Sequence, residues 1–571
     1  MTTDVLLLLV LLFLPLVGAV VVAVLGPNRG NAIRWISLVT SAATLVLACL
    51  MTGRLMSLDR PSTPSGSLPT FRPEFVTRAN LLSFGESNIQ FYVGLDGLNV
   101  WLVFLTAVLM LPSVLVSWKQ VTQRVNEFYA WLLALQTCMI GVFLAFDIVL
   151  FYVFFELSLV PLFFLIGIWG GRLRERAARK FFIYTLAGSL LTLLGVLGVV
   201  IVCYQGTSAP GKNGELTFSI PRLVELVAQQ DKWVNSDVRA AWPTIQLWVF
   251  YALVAGFAIK VPLVPLHTWL PLAHVEAPTA GSVDLAGVLL KVGAYGFLRL
   301  CIPLAPDVSL SHGLPLITIL AVIGIVYGSF CAYGQTDVKR MIAYSSVAHL
   351  GLCMLGMFTL GIVGLSGSVM QMINHGLSTG ALFLMIGILY ERYHTRTISD
   401  YGGMAARMPV FAALFVFVCL TSVGLPGLNG FVGEFLCLAG VFWLDWHFSH
   451  KLILGIIAFS GVILGAWYLF TMLRHVLFGP IKEPEHHGEP VRDLDGRELA
   501  LLTPILFLCI VIGFYPQPIL DTSRDDLQTV ANIAQGARKR AEDAARTTEA
   551  SAAVDEEKAS ERRATATVHS P

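Results

Sequence analysis

Six ionisable side chains interrupt stretches of this sequence that are otherwise apolar. They are two glutamates, two lysines and two histidines, namely Glu156, Glu434, Lys260, Lys291, His349 and His375. A charged side chain inside a membrane span is costly, so it usually marks a functional site and needs a partner. Burial favours the neutral form of both lysine and glutamic acid, which brings proton gain and loss toward neutral pH. Residues of these types predict proton handling.

Glu156 in FYVFFELSLVPLFFL is the predicted partner of Lys260 in GFAIKVPLVPLHTWLP. A glutamate beside a lysine keeps the lysine charged, and moving or neutralising the glutamate lets the lysine release its proton. A chain of such sites titrates as a coupled set. Asp284 and Asp337 are further candidates. For each carboxylate or lysine taken alone, a structural hydrogen bond or ion pair is the alternative; for the histidines it is a hydrogen-bonded core residue.

The composition is that of a helical membrane protein. Of the 571 residues, 56% are hydrophobic and 13% are charged, and the net charge is +1. Soluble domains are about half apolar and a quarter charged. Apolar stretches of about twenty residues recur, whereas the shorter alternating segments of spanning strands do not. The nine cysteines show no CxxC pair, so neither a disulfide framework nor an iron–sulfur cluster is expected.

Fourteen spans are predicted, which makes the fold an all-α polytopic bundle. They lie near residues 5–25, 32–52, 94–117, 128–146, 148–169, 181–204, 244–263, 277–301, 313–333, 340–361, 365–390, 409–444, 452–477 and 500–515. KVPLVPLHTWLP interrupts the seventh span and LPGLNGFVGEF the twelfth. Broken helices are tolerated in a bilayer where the freed backbone groups find protein partners or line a cavity. One in each half of a chain indicates an internal repeat.

The predicted organisation therefore has two inverted five-helix repeats, each with a discontinuous helix. Its parts are 1–127 with spans one to three and an outer loop, 128–303 as the first repeat broken near 260–271, 313–478 as the second repeat broken near 425–435, 479–520 with a cytoplasmic loop and the last span, and 521–571 as a polar tail on the outer side. The alternative to the repeat is that Pro and Gly are common in membrane helices.

Lys and Arg in short loops predict the orientation. They concentrate after odd-numbered spans, as in GGRLRERAARK after span five and at Lys339 before span ten. Positive loops face the cytoplasm, so both termini are expected outside. The tail has balanced charge and few large apolar residues, which predicts a mobile segment or one laid on a partner. EPEHHGEP at 483–490 is interpreted as a solvated loop, with a metal site as the alternative.

Four longer motifs resemble the antiporter-like membrane subunits of respiratory complex I. They are KVPLVPLHTWLPLAHVEAPTAGSVDLAGVLLKVGAYG, QTDVKRMIAYSSVAHLG, QMINHGLSTGALF and GLPGLNGFVGEF, and the resemblance covers about residues 75–510. Within this family they are most similar to the M type of bacterial proton-translocating NADH:quinone oxidoreductase, the counterpart of mitochondrial subunit 4.

The resemblance implies a role for each of the six residues. By motif, the family's essential glutamate falls on Glu156, and the lysines of the first broken helix and of VLLKVGAYG fall on Lys260 and Lys291. The charged residue of the second broken helix falls on Glu434; a glutamate there is typical of the M type and a lysine of the L type. The family's histidines in SSVAHLG and INHGLSTG fall on His349 and His375.

The resemblance also implies partners. It predicts no cofactor in this chain, with FMN, iron–sulfur clusters and quinone in partner subunits, and proton movement driven by quinone reduction there. Expected neighbours are the L-type and N-type antiporter-like subunits and the lipid bilayer of a bacterial plasma (inner) membrane, with no nucleic acid. Two alternatives stay open: a subunit of a multi-chain Na⁺/H⁺ antiporter, and a membrane scaffold that carries no ions.

Overall fold

The structure is a computed structural model that describes residues 2–58, 60, 68–84, 87–210, 212–443, 451–484 and 491–567. Within these residues, twelve helices are long and apolar enough to cross a membrane. Two shorter apolar helices, Pro409–Val423 and Asn429–Phe442, make up the predicted twelfth span. Each segment predicted as a span is helical over most of its length, although the tenth, Val338–Met357, is a helix that is not among the twelve. The predicted all-α polytopic fold is confirmed.

The helices follow the chain in three groups. The first is α1 Thr3–Val24, α2 Gly30–Ser57, α3 Val100–Gln120, α4 Val125–Leu144, α5 Ile148–Leu157, α6 Leu159–Trp169, α7 Arg174–Thr207 and α8 Ile220–Ala228. The second is α9 Ser236–Lys260, α10 Leu270–Glu276, α11 Thr279–Asp284, α12 Leu290–Gly296, α13 Ile302–Leu304, α14 Pro306–Val308, α15 Leu314–Tyr333 and α16 Val338–Met357. The third is α17 Ile362–Tyr393, α18 Met404–Arg407, α19 Pro409–Val423, α20 Asn429–Phe442, α21 Lys451–Leu477, α22 Gly496–Phe514 and α23 Gln517–Thr567.

Both predicted helix breaks are present. Helix α9 ends at Lys260, and residues 261–269 form turns before α10 begins. Helix α19 ends at Val423, and α20 begins six residues later at Asn429. Prolines at 262 and 265 account for the first break, because proline lacks the N–H that a helix interior needs. The inverted relation of the two repeats stays a prediction.

Several helices begin at a side chain that accepts hydrogen bonds from the first free N–H groups. Such caps stabilise a helix by about 1 kcal/mol each. The capping side chains are Asp147 before α5, Asn235 before α9, Asp337 before α16 and Asp495 before α22. The last is a capping box, in which Glu498 returns a bond to the Asp495 N–H.

The loop between α2 and α3 contains a hairpin that the sequence analysis did not predict. Strand β1, Glu74–Phe84, pairs antiparallel with β2, Ser87–Leu95. Its end enters the protein core at Asp96, which is completely buried. Asp96 Oδ2 accepts a hydrogen bond of 2.6 Å from Arg299, and the Arg299 guanidinium lies over the Phe71 ring at 4.2 Å. A buried ion pair thus ties the hairpin to the span 279–304.

The C-terminal segment, for which the sequence predicts a mobile tail or one laid on a partner, is helical. It forms one helix, α23, and side chains of its first half are buried against the bundle, including Leu527, Val530 and Ile533. Asp526 is 5% exposed. Its Oδ2 accepts bonds from the Gly97 N–H at 2.8 Å and from Arg60 at 3.2 Å. Apolar residues spaced three or four apart, together with this buried carboxylate, dock the helix.

Replacing Asp526 is expected to release α23. Asp526→Ala leaves the Gly97 N–H and Arg60 Nη1 without their acceptor, although Arg60 Nη2 still donates to the Thr522 carbonyl. The loss should weaken docking by about 3 kcal/mol. Limited proteolysis of the purified complex should then remove the C-terminal helix faster. The neighbouring Asp525→Ala is the control; equal cleavage of the two variants would contradict the assignment.

Docking of α23 is also expected to depend on pH. Burial raises the pKa of Asp526 to about 7; Asp96 acts in the same direction, and Arg60 and Arg299 oppose it. The docked helix therefore binds a proton more readily than the free helix, whose aspartate titrates near about 3.9. Docking should weaken as the pH rises from about 4 to about 7 and stay constant above that.

The check is the rate of proteolytic release at about pH 6 and about pH 8, normalised to cleavage of an unfolded substrate. Release should be slower at the lower pH. In Asp526→Asn, which cannot ionise, the difference should vanish; a pH dependence that persists in this variant would refute the role of Asp526.

Candidate functional site

Two spans of the bundle are buried along their apolar cores, 279–304 and Ile362–Tyr393. The first carries Lys291 and the second carries His375. Lys291 Nζ lies 2.7 Å from His375 Nδ1 and donates a 2.5 Å hydrogen bond to the Ala286 carbonyl. A π-helical turn at Leu285–Leu289 precedes Lys291, and such turns are frequent at functional sites. The two central spans are therefore joined by a contact between ionisable groups.

The row of ionisable groups continues from His375 to Glu434. The rings of His375 and His349 have centroids 5.9 Å apart, and His349 Nδ1 lies 3.2 Å from Glu434 Oε1. His375 Nε2 has no hydrogen-bond partner in the part of the chain that the structure describes. Four of the six predicted residues thus form one row, called the buried row below, in which His349 is partly exposed and the other three are buried: Lys291, His375, His349 and Glu434.

A pair of asparagines holds the helix that carries Glu434. Asn374 Nδ2 donates to the Asn429 carbonyl at 2.6 Å, and Asn429 Nδ2 returns a bond to the Asn374 carbonyl at 3.3 Å. This reciprocal contact attaches the start of α20 to α17, next to His375. Gly424 in the break has φ +78°, and a Cβ there would lie 2.5 Å from Glu434 Oε2. The left-handed backbone conformation therefore favours glycine, and a larger residue would also displace the Glu434 carboxylate.

Glu156 and Lys260 lie beside each other on α5 and at the end of α9. Lys260 is 3% exposed, and its Nζ stands 4.4 Å from the centre of the Phe155 ring. Neither Lys260 Nζ nor Glu156 Oε1 has a hydrogen-bond partner among the described residues, yet their charges act on each other. The pair is therefore open rather than closed into a hydrogen-bonded ion pair.

Glycine brings the Lys291 span against this pair. A Cβ at Gly293 would lie 2.8 Å from Lys260 Cβ and 3.0 Å from the Phe257 carbonyl. Only glycine permits this approach. Gly293 is two residues from Lys291, so Lys260 packs against the span that carries Lys291.

His274 is a buried histidine that the sequence analysis did not select. It is completely buried, its ring stacks on Phe383 at 4.7 Å, and neither ring nitrogen has a partner in the described ranges. Lys291 and Lys339 lie within electrostatic range of its ring. The sequence feature that could have identified His274 is its position in an apolar run, LPLAHVEAP, directly after the first helix break.

Lys339 was interpreted as a loop charge, but the structure buries it. It lies in the first turn of α16, 8% exposed, and its Nζ donates to the Ala277 carbonyl at 2.6 Å. Lys339 lines a cleft of about 420 Å³ together with Glu276 and Phe383, the residue on which His274 stacks. The cleft therefore extends from Lys339 and Glu276 to Phe383, the ring on which His274 stacks.

The two aspartates have local roles. Asp337 caps α16 and pairs with Arg396 at 3.3 Å. Asp284 accepts a bond from Ser113 at 3.1 Å, while its Oδ2 has no partner among the described residues. His486 and His487 lie outside the described residues; within those residues, no group of three His, Cys, Asp or Glu side chains could hold a metal ion.

Comparison with known proteins agrees with this architecture. Residues 145–465 match the family model "NADH:quinone oxidoreductase/Mrp antiporter, TM". The chain is 39% identical to NADH-quinone oxidoreductase subunit M of Rhodobacter capsulatus, over 90% of this chain and 94% of that one.

Two solved structures share the fold. A chain of respiratory complex I from Thermus thermophilus with bound NADH superposes with a TM-score of 0.76 at 29% identity, covering 93% of this chain and 99% of that one. A chain of the Mrp complex from Dietzia sp. DQ12-45-1b gives 0.74 at 19% identity, covering 94% and 98%; this likeness concerns the fold alone. The chain therefore belongs to the family of NADH:quinone oxidoreductase and Mrp antiporter membrane subunits, in its subunit M group.

Proposed function

We propose that this chain translocates protons as the antiporter-like subunit M of a respiratory NADH:quinone oxidoreductase. The observation that carries the proposal is the buried row, in which Lys291 contacts His375 at 2.7 Å and His349 contacts Glu434 at 3.2 Å. Burying ionisable side chains inside apolar spans lowers the stability of the folded chain. A purely structural membrane scaffold would have no use for such a row.

The contacts define how a proton passes along the row. A charged Lys291 donates to His375 Nδ1, so that nitrogen is the acceptor and the ring proton of a neutral His375 is on Nε2. Transfer from Nζ to Nδ1 leaves a neutral lysine and a histidinium. His349 then takes the proton that His375 releases from Nε2 and passes one on to Glu434 Oε1. The 5.9 Å between ring centroids is crossed by ring rotation or through water.

The open pair Glu156–Lys260 resets the protonation state of Lys260 between transport cycles. When Glu156 approaches Lys260, the lysine is held charged; when the two separate, the desolvated lysine loses its proton more readily. Phe155, adjacent to Glu156, keeps a favourable contact with the ammonium in the open arrangement. Gly293 lets the Lys291 span pack against Lys260, and in this proposal positive charges on the two lysines at the same time are disfavoured because like charges repel.

The driving energy comes from partner subunits in this proposal. FMN, the iron–sulfur clusters and quinone belong to those partners, and this chain takes part as a subunit without a redox centre. Its neighbours are L-type and N-type antiporter-like subunits in a bacterial inner membrane. With both termini outside, protons are taken up from the cytoplasm near Lys291 and the histidines and released outward past Glu434.

The second candidate is a subunit of a multi-chain Na⁺/H⁺ antiporter, which the shared fold with the Mrp complex favours. Gentle purification of the tagged chain separates the two. NADH:quinone reductase activity that co-purifies with the chain supports the first proposal. Recovery with small membrane subunits, no NADH activity and cation-dependent proton movement would replace it with the second.

Neutralising Glu156 is expected to uncouple transport. Glu156→Gln keeps the shape of the side chain but removes the counter-charge to Lys260, so NADH-driven acidification of proteoliposomes should fall by at least about tenfold. The complex should still assemble. Glu127→Gln is the matched control, because Glu127 pairs with Arg124 at the exposed start of α4. Normal pumping at normal turnover in Glu156→Gln would instead favour a scaffold.

Substitutions at Glu434 are expected to rank by charge. Glu434→Asp keeps a carboxylate that can reach toward His349, whereas Glu434→Ala removes the end of the row. Protons pumped per NADH oxidised should therefore fall little in the first variant and by at least about tenfold in the second. The same proteoliposome assay measures both. Equal loss in the two variants would mean that the volume of the side chain matters and its charge does not.

A further inference from the structure

A cluster of arginines lies where the loop after α6 leads into α7. Its members are exposed and form no ion pair with any carboxylate among the described residues: Arg172, Arg174, Arg176 and Arg179. The acidic residue between them, Glu175, contacts the cluster through its backbone carbonyl, which accepts a hydrogen bond from Arg179 Nε at 3.4 Å. These four residues are called the arginine cluster below.

Exposed arginines at other helix ends have carboxylate partners within the chain. Arg124 pairs with Glu127 at the start of α4. Arg407 at the end of α18 pairs with Glu483 at 3.4 Å. The arginine cluster differs from both, because its positive charge is not compensated within the described part of the chain and is presented to whatever surrounds the protein.

An exposed apolar stripe on α7 follows directly after the cluster. Ile183 is 65% exposed, and the stripe continues along the helix at spacings of seven, four, three and four residues through Leu190, Leu194, Leu197 and Ile201. With 3.6 residues per turn, Arg176 and Arg179 lie within about 40° of Ile183 around the helix axis, about two turns and one turn before it. The two arginines therefore stand at the end of this apolar stripe and on the same face of α7.

The dimensions of the stripe correspond to one leaflet of a bilayer. From Ile183 to Leu194 the helix rises about 16 Å. The hydrocarbon core of a bilayer is about 30 Å thick, so this length is about half of it. A face with cations at one end and an apolar surface of this length matches a phospholipid, whose phosphate lies at the membrane surface while its acyl chains extend toward the midplane.

We propose that the arginine cluster and the apolar stripe together bind an anionic phospholipid of the surrounding bilayer. The phosphate accepts hydrogen bonds from Arg176 and Arg179, and one acyl chain packs against the stripe. Helix α7 begins at Arg174 without a capping side chain, so the positive end of its dipole adds to the attraction. An anionic headgroup binds more tightly than a zwitterionic one because its net negative charge is not neutralised within the lipid.

The bound lipid also supports the segment that follows the first helix break. In the same loop, the Leu173 N–H donates to Glu276 Oε2 at 2.8 Å, and the Gly171 N–H donates to the Glu276 carbonyl at 2.8 Å. Glu276 is the last residue of α10, the helix after the break. A phosphate that holds the arginine cluster therefore also holds this loop against α10. The lipid site does not depend on whether the chain moves protons.

Photolabelling of the purified complex in proteoliposomes tests the site. The probe is phosphatidylglycerol with a diazirine in one acyl chain, and phosphatidylcholine with the same chain is the comparison. Mass spectrometry should find more label between Ile183 and Leu194 with phosphatidylglycerol, and the excess should shrink at high salt. The double variant Arg176→Gln/Arg179→Gln should lower phosphatidylglycerol labelling by at least about fivefold and leave phosphatidylcholine labelling unchanged. Arg176→Lys/Arg179→Lys, which keeps both charges, should retain most of the label.

Arg124→Gln is the matched control, because it removes an exposed arginine whose charge is already compensated by Glu127. It should leave labelling by both probes unchanged. Equal labelling by the two probes in the native complex would overturn the inference, and so would full phosphatidylglycerol labelling in Arg176→Gln/Arg179→Gln. A parallel loss of both labels in that variant would mean that charge does not select the lipid. Absence of lipid label with a crosslink from the stripe to another subunit would show that a protein covers this face.

Discussion

A lysine amine in the middle of a completely buried span constrains everything around it. Lys291 is 0% exposed, and removing such a charge from water costs several kcal/mol unless hydrogen bonds compensate. The compensation consists of the Ala286 carbonyl one π-turn earlier and His375 on the other central span. Those two partners fix the distance and rotation of the two spans. Their packing in turn decides where His349 and Glu434 can lie.

The two helix breaks also position ionisable side chains inside the bundle. Ending α9 at Lys260 places a lysine where the helix stops, and Gly293 lets the neighbouring span approach it. Ending α19 before Gly424 lets α20 start inside the protein, where the Asn374–Asn429 pair secures it. In both places a glycine lies against the functional side chain, because any larger residue would occupy the space of the lysine or of the carboxylate.

The sequence was informative about residues and poor about contacts. A charge in an apolar run is visible without a fold, so Lys260, Lys291 and Glu434 could be selected, and prolines made the first break visible. The contact between His349 and Glu434 joins residues 85 positions apart, and spacing alone cannot supply it. His274 was missed although it stands in an apolar run, because its burial against Phe383 on a distant helix is not visible in the sequence. Lys339 and the docked α23 were misjudged for a related reason: polar sequence suggests exposure, while long-range packing buried Lys339 and Asp526.

The buried pair Asp96–Arg299 connects α23 to the central span that carries Lys291. Arg299 is eight residues beyond Lys291 in one span, about 12 Å along the helix axis. Asp96 accepts a hydrogen bond from Arg299, and the N–H of the next residue, Gly97, donates one to Asp526 on α23. A pull on the C-terminal helix is therefore borne by the span that holds Lys291. A displacement of the long helix α23 would thus be transmitted through Gly97 and Asp96 to the buried Arg299.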